Sequence, residues 1–208
     1  MKRRLKALAD NTNFVSVINE NNILIFMVFA FLLGNLISVL LFKLKNDSGS
    51  FYKAEFESFI SSFSGGFWKI FFASILEVLP FVSLVFLAGT SMAGSILTPL
   101  IIALRGVILG FLASYLYIHY SLNGIVFNML IIIPSAVLTS LSLILSGREA
   151  FGFSLSLARL AFPGAKTVVL ENDFKLYCIR QLFIFLFFLV GALLKTVMAV
   201  SFFSFFKF

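Results

Sequence analysis

The stretch TPLIIALRGVILGFLASYLY, residues 98–117, is an apolar segment of membrane-helix length with one arginine near its middle. A helix needs about 20 residues to cross the hydrocarbon core, so this stretch is predicted to span a bilayer. An arginine at the centre of such a helix costs roughly 2.5–3.5 kcal/mol on insertion scales. Arg105 is therefore predicted to face a polar partner inside the protein rather than lipid.

The composition of the whole chain agrees with a membrane protein. Of the 208 residues, 61% are hydrophobic and only 12% are charged. A water-soluble domain of this size could not bury so much apolar surface, and the polar segments are too short to form a separate core. The sequence predicts a single membrane domain over residues 1–208.

Five apolar blocks have the length that a membrane crossing requires. The predicted fold class is therefore all-α, a polytopic integral membrane protein with about five transmembrane helices. The predicted spans are 22–42, 68–89, 95–118, 123–145 and 179–203. A mixed polar and apolar segment follows the fourth span and predicts a short cytoplasmic interfacial helix.

The segment between the first two spans has a helical pattern of aromatic residues. Its apolar positions are Tyr52, Phe56, Phe59, Ile60 and Phe63. This spacing predicts an external amphipathic helix that lies on the membrane surface. Seating of the aromatic face in lipid headgroups is the simpler interpretation. Docking of a protein partner is the alternative, with Phe56, Phe59 and Phe63 as the candidate docking residues.

Lysine and arginine residues that flank the spans predict the orientation, because these residues concentrate on the cytoplasmic side. In the five-span arrangement, nine of them lie on the side of the N-terminus and five on the opposite side. We therefore expect a multi-pass protein of the cell membrane with a cytoplasmic N-terminus. The net charge of +7 is explained by these flanking residues, so membrane lipid is an expected partner and nucleic acid is not.

Glu77 in the second span is the predicted partner of Arg105. Glu77 lies 12 residues before Gly89 and Arg105 lies 11 residues after Gly94, on either side of a short turn. At ~1.5 Å per residue, the two side chains are predicted to lie at the same depth. The pair either fixes the register of the two helices or handles a substrate or proton, and the structural role is favoured.

Small and polar residues predict how the helices pack around this pair. Gly106 and Gly110 form a small-xxx-small ridge that permits close helix approach. A polar stripe on one face of the fourth span is predicted to point inward and consists of Asn128, Ser135, Thr139, Ser142 and Ser146. Interhelical hydrogen bonding by this stripe is favoured over the lining of a polar cavity. Lys195 either snorkels outward or joins Glu77, and snorkelling is favoured.

Motifs of catalysis and metal binding are missing from the sequence. There is no G-x-S-x-G elbow, no H-E-x-x-H pair and no Walker A run. The single cysteine, Cys178, and the single histidine, His119, cannot form a zinc-type cluster. We therefore expect neither an enzyme nor a protein with a cofactor or a metal ion.

The segment LTPLIIALRGVILGFLASYLYIHYSLNGIVFNMLIIIPSAVL, residues 97–138, has an R-G-x-x-x-G motif at Arg105, Gly106 and Gly110, a short loop that ends in Asn-Gly, and a following helix with a proline. These features resemble the stage II sporulation protein M family, and the resemblance is most specific over about residues 75–145. A length near 200 residues, five apolar spans and a basic start are also similar to that family.

The resemblance implies a membrane protein of endospore-forming bacteria that acts in engulfment. Its implied role is a non-enzymatic scaffold in the sporulation septum and the engulfing membranes, where it anchors and localises peptidoglycan-remodelling enzymes. The implied partners are a peptidoglycan amidase and a lytic transglycosylase. The sequence leaves open whether the chain forms a homo-oligomer.

A membrane subunit of a transporter that works with a cytoplasmic ATPase is the alternative function. In that interpretation Glu77, Arg105 and the polar stripe would line the transport path. Inverted-repeat transporters carry a pair of broken helices in their two halves. No such duplication is present in the sequence, which favours the scaffold.

Cysteine labelling in intact cells tests the predicted orientation. Ser62→Cys, made in a Cys178→Ser background, should react with a membrane-impermeant thiol reagent, because the charge excess places this segment outside the cell. In the unmodified protein, Cys178 should react only after the membrane is permeabilised. Its reaction after permeabilisation is the control that this thiol is reactive. Labelling of Cys178 but not of position 62 in intact cells would show that the N-terminus is external.

Overall fold

The protein is a bundle of helices in the computed structural model, which describes residues 2–44, 61, 66–160 and 170–202. Side chains are described for residues 22–43, 61, 66–158 and 173–202. The elements are α1 (Lys2–Leu44), α2 (Phe67–Gly89), α3 (Gly94–Phe127), a π-helical turn (Asn128–Ile132), α4 (Ile133–Leu160) and α5 (Leu170–Phe202). These ranges contain no strand, and the predicted all-α class is confirmed for them.

Four helical segments in the described ranges are long and apolar enough to cross a membrane. They are Asn22–Lys43, Phe67–Gly89, Gly94–Ala158 and Asp173–Phe202. Each of them exposes many large apolar side chains on its outer surface, which is compatible with contact to lipid. The predicted spans 95–118 and 123–145 fall together in the third segment.

The third segment reverses its direction at Ser121. It has 65 residues, and a straight helix of that length would be about three times longer than the ~30 Å hydrocarbon core. Ser121 has φ 46° and ψ −124°, and it is the one non-glycine residue with positive φ in the described ranges. After this turn the chain runs back along itself, so that the amide of Ser95 donates to Ser154 Oγ at 2.9 Å.

Polar and aromatic contacts hold the helices together at both ends of the bundle. At the end that contains the turn between α2 and α3, Tyr177 of α5 donates to the carbonyl of Phe86 at 3.0 Å. The Tyr177 ring also stacks between the rings of Phe86 and Phe153. The opposite end has a buried cluster that includes Ile70, Tyr115, Leu116, Phe127 and Ala199. The C-terminal end of α4 and the N-terminal end of α5 therefore lie at the same end of the bundle as the α2–α3 turn.

Small residues allow α1 to pack closely against α3. A Cβ atom added at Gly106 would overlap the carbonyl oxygen of Phe31, and one added at Gly110 would overlap a side chain of α1. From the other side, a Cβ added at Gly34 would overlap the carbonyl oxygen of Ala103. The two backbones are therefore in direct contact, and the glycine ridge faces α1.

Two predicted segments between the spans have different outcomes. The external amphipathic helix with Phe56, Phe59 and Phe63 lies outside the described residues. The short cytoplasmic helix was expected within residues 146–177, of which residues 146–160 continue α4 without a break and residues 161–169 lie outside the described residues. Contacts of Phe153 and Ser154 with neighbouring helices stabilise this extension, which explains why the helix does not end at the predicted position.

Alanine substitutions test the close packing of α1 and α3. Gly106→Ala should lower the free energy of unfolding by about 1–3 kcal/mol, because the new methyl group overlaps a carbonyl oxygen of α1. Gly152→Ala is the matched control, since a Cβ at this helical position meets open space. Thermal unfolding of the purified protein in detergent measures both effects. Equal midpoints for the two variants would contradict the close contact.

Candidate functional site

One carboxylate, that of Glu77 on α2, accepts hydrogen bonds from cations on two other helices. Arg105 of α3 donates from Nη2 to Glu77 Oε1 at 3.0 Å. Lys195 of α5 donates from Nζ to Glu77 Oε2. Arg105 and Lys195 are buried, with 3% and 9% of their surfaces exposed. The structure therefore brings together Glu77 and Arg105, which the sequence predicts to lie at the same depth, and adds Lys195 to the pair.

The expectation that Lys195 snorkels outward is wrong, because its ammonium group binds Glu77 inside the bundle. The depth argument used for Arg105 also places Lys195 near the level of Glu77. Glu77 lies 10 residues after Phe67 and Lys195 lies 7 residues before Phe202, at the same end of the bundle. At ~1.5 Å per residue their depths differ by ~4.5 Å, which a lysine side chain can bridge.

Gly191 explains how α5 comes close enough for Lys195 to reach the centre. A Cβ atom added at Gly191 would lie 2.8 Å from Thr139 Cγ2, so α5 packs tightly against α4 one turn before the lysine. A larger residue at this position would separate the two helices. The glycine therefore controls the position of a charged side chain on the next turn.

A small cavity adjoins the three charged groups. Its volume is about 10 Å³, which is room for about one water molecule. Its polar lining consists of Ser74, Glu77, Arg105, Ser135, Thr139 and Lys195. The remaining wall is apolar and includes Leu109 and Ile132. The cavity is therefore a small polar space beside the three charged groups.

The polar stripe of α4 and the π-helical turn is buried along its length, as expected for side chains that point into the bundle. Its two ends form interhelical or inter-segment bonds: Asn128 donates to the Tyr117 hydroxyl at 2.6 Å, and Ser146 donates to Gln181 at 2.7 Å. Gln181 also donates back to the Ser146 carbonyl at 3.0 Å. These contacts agree with the favoured interpretation, in which the stripe forms interhelical hydrogen bonds.

The middle of the stripe behaves differently. Ser135, Thr139 and Ser142 donate to carbonyl groups of their own helix, at 2.9 Å, 3.0 Å and 2.8 Å. The expected interhelical bonding is therefore wrong for these three residues. Pro134 explains the difference at Ser135, because a proline cannot donate a backbone hydrogen bond and disturbs the preceding turn, which is π-helical here. Ser135 and Thr139 line the cavity instead.

The guanidinium group of Arg105 is only partly satisfied by Glu77. Its Nε and Nη1 atoms have no hydrogen-bond partner among the described residues. The ring of Phe81 lies 5.6 Å from Arg105 Cζ, so a cation–π contact contributes to its environment. Buried donors without an acceptor are rare in native proteins. The described contacts thus leave two donors of this side chain without a protein acceptor.

Comparisons of the chain with models of known protein families, with curated proteins and with solved structures find no match. They give no support to the resemblance to the stage II sporulation protein M family. The described residues also contain no group of three or more His, Cys, Asp and Glu side chains that could hold a metal ion.

Substitutions of the three charged residues should have unequal effects. Glu77→Gln leaves both buried cations without their carboxylate, at a cost of roughly 3–5 kcal/mol. Arg105→Met and Lys195→Met each leave Glu77 with one cation, so each should cost less than Glu77→Gln. The triple variant should recover most of the loss, because no charge is stranded. Protein level in membranes and the thermal unfolding midpoint measure these differences.

Glu149→Gln is the matched control for the loss of a glutamate. Glu149 accepts a hydrogen bond from Arg180 at 2.8 Å, but the Arg180 side chain is 61% exposed. Exposed ion pairs contribute about 0–1 kcal/mol, so this variant should resemble the wild type. Equal losses for all three charged positions, or a triple variant as unstable as Glu77→Gln, would show that Glu77 is not shared between the two cations.

Proposed function

We propose that the protein is a non-enzymatic membrane scaffold that anchors and localises peptidoglycan-remodelling enzymes at the sporulation septum. One observation carries the scaffold role: the carboxylate of Glu77 binds the buried cations Arg105 and Lys195, and the cavity beside them has room for about one water molecule. Such an arrangement supports helix packing rather than the passage of a solute. The sporulation setting rests on the resemblance to the stage II sporulation protein M family, which is most specific over about residues 75–145.

The proposed topology has five crossings and a cytoplasmic N-terminus. The reversal at Ser121 divides the third apolar segment into two antiparallel halves, each of membrane-spanning length. In this arrangement the α4–α5 connection is cytoplasmic, together with the α2–α3 turn. The segment between α1 and α2 is external and is the longest external connection. It carries the aromatic residues that we propose as the docking surface for an amidase or a transglycosylase.

A transport subunit that works with a cytoplasmic ATPase is the second candidate. The observation that favours it is the 27% exposure of the Glu77 side chain, because a carboxylate beside a cavity could exchange a proton. In that case Glu77→Gln would abolish ATPase-dependent uptake into vesicles, while a triple variant of Glu77, Arg105 and Lys195 would be stable but inactive. For a scaffold, the triple variant should retain partner localisation.

Aromatic substitutions in the external segment test the scaffold. Phe56→Ser combined with Phe59→Ser should leave membrane insertion intact, because the apolar spans are unchanged. The double variant should nevertheless abolish recruitment of the fluorescently labelled amidase and transglycosylase to the septum, since few aromatic residues dominate most interfaces. Fluorescence microscopy of sporulating cells measures the recruitment, and immunoblotting of membranes measures insertion.

Leucine at the same two positions is the matched control. If the aromatic face only seats the segment in lipid, leucine should restore what serine removes, because both depend on apolar area. A shaped protein pocket should reject leucine as well as serine. Normal septal localisation of both enzymes in the serine variant would refute docking on this segment.

A further inference from the structure

The N-terminal end of α2 carries a cluster of aromatic side chains that the scaffold role does not use. The ring of Trp68 lies 5.8 Å from that of Phe67, 6.3 Å from that of Phe71 and 6.2 Å from that of Phe72, measured between centroids. Three of the four side chains are exposed, and Trp68 has the largest exposed fraction, 68%. We call these four residues the aromatic cluster. It is a surface that no described part of the chain covers.

The aromatic cluster lies at the end of a helix that is about as long as the hydrocarbon core is thick. α2 has 23 residues, or ~34 Å, compared with ~30 Å for the core. Trp68 is the second residue of α2 and lies nine residues, or ~13.5 Å, before Glu77. Tyr115 and Tyr120 pack with Ile70 at the same end of the bundle. Tryptophan and tyrosine are enriched where lipid headgroups meet acyl chains, so this end has the composition of that boundary.

Two lysines at this end have no carboxylate beside them. Lys69 follows Trp68, and Lys43 ends the first span at the same level, because its neighbour Phe42 packs against the buried cluster that contains Ile70. Both lysines are exposed, and neither forms an ion pair with another residue that the structure describes. Among the described side chains, this end of the bundle contains no carboxylate. The unpaired charges favour an anionic group outside the protein.

A phospholipid matches both the rings and the charges. The indole of Trp68 has an apolar body and one N–H donor, so it fits the level at which acyl chains meet ester and phosphate oxygens. The ammonium group of Lys69 can bind a phosphate while its methylene stem stays among apolar groups. Contact with water would instead leave the large apolar area of the aromatic cluster exposed, which is unfavourable.

We propose that the aromatic cluster and Lys69 form a lipid-anchoring surface that binds anionic phospholipid headgroups, with phosphatidylglycerol as the representative lipid. This surface fixes the depth of α2, so that Glu77 lies within about 2 Å of the middle of the ~30 Å core. The charged cluster is thereby held at the level where an unpaired charge is most costly. The inference is independent of whether the chain recruits enzymes, because it concerns contact with lipid alone.

Fluorescence quenching measures the depth of this surface. Trp68 is the single tryptophan of the chain, so the signal of the full chain in phosphatidylcholine vesicles comes from this residue. Lipids brominated near the headgroup end of the acyl chains should quench it more strongly than lipids brominated near the chain ends. Leu76→Trp in a Trp68→Phe background is the matched control and should show the reverse order. Leu76 is 66% exposed on the same helix and ~12 Å deeper.

Headgroup-specific quenching tests the role of Lys69. The vesicles contain the same small fraction of either brominated phosphatidylglycerol or brominated phosphatidylcholine. Phosphatidylglycerol should quench Trp68 equally at an about two- to fivefold lower fraction, because a lysine near the surface attracts anionic lipid to that extent. Lys69→Gln should lose most of this preference. Lys175→Gln should keep it, because Lys175 is exposed at the opposite end of the bundle, close to Tyr177.

Three results would overturn the proposal. Stronger quenching by bromine at the chain ends would place Trp68 inside the core. No quenching by any brominated lipid would mean that water or a protein, such as a second copy of the chain, covers the surface; acrylamide quenches Trp68 in the first case and not in the second. Equal quenching by the two headgroups in the wild type would refute the binding of anionic lipid, and it stays measurable even if Lys69→Gln fails to fold.

Discussion

Glu77 is the constraint on which the arrangement of the other helices depends. Its carboxylate is the acceptor for Arg105 and Lys195, which come from two other helices. In an apolar environment neither cation could be stranded without a penalty of several kcal/mol, about 3–5 for a broken buried pair. The three helices must therefore keep a rotation and a depth at which all three side chains meet. The apolar contacts around them tolerate small shifts more easily than these charges do.

Small residues make this meeting possible. The ridge at Gly106 and Gly110 lets α1 lie directly on α3, and Gly191 lets α5 lie directly on α4. Without a strong hydrophobic force between helices in lipid, such close backbone contact is a main source of association. The glycines and the charges thus have complementary roles. Close packing brings the helices together, and the charged cluster selects one register among those that packing permits.

The sequence predicted the depth relation of Glu77 and Arg105 because a short turn and a fixed helical rise leave little freedom between them. It did not predict the partner of the glycine ridge, because small-xxx-small spacing carries no information about the opposing helix. Lys195 was misassigned for a different reason: snorkelling depends on the side chain alone, whereas its contact with Glu77 depends on how α5 packs. The uninterrupted helix after residue 145 was likewise unpredictable, since contacts of Phe153 and Ser154 with distant residues stabilise it.

The distribution of hydrogen bonds distinguishes the centre of the bundle from its ends. At the ends, polar side chains such as Tyr177 and Gln181 bind other helices and satisfy each other directly. At the centre, Ser135 and Thr139 donate to carbonyl groups of their own helical segment. The Nε and Nη1 atoms of Arg105 have no acceptor among the described residues. A purely structural ion pair would gain from hydroxyl groups that reach across to satisfy the arginine. These hydroxyl groups turn to their own helix instead, so the charges of Glu77, Arg105 and Lys195 join α2, α3 and α5 at this level.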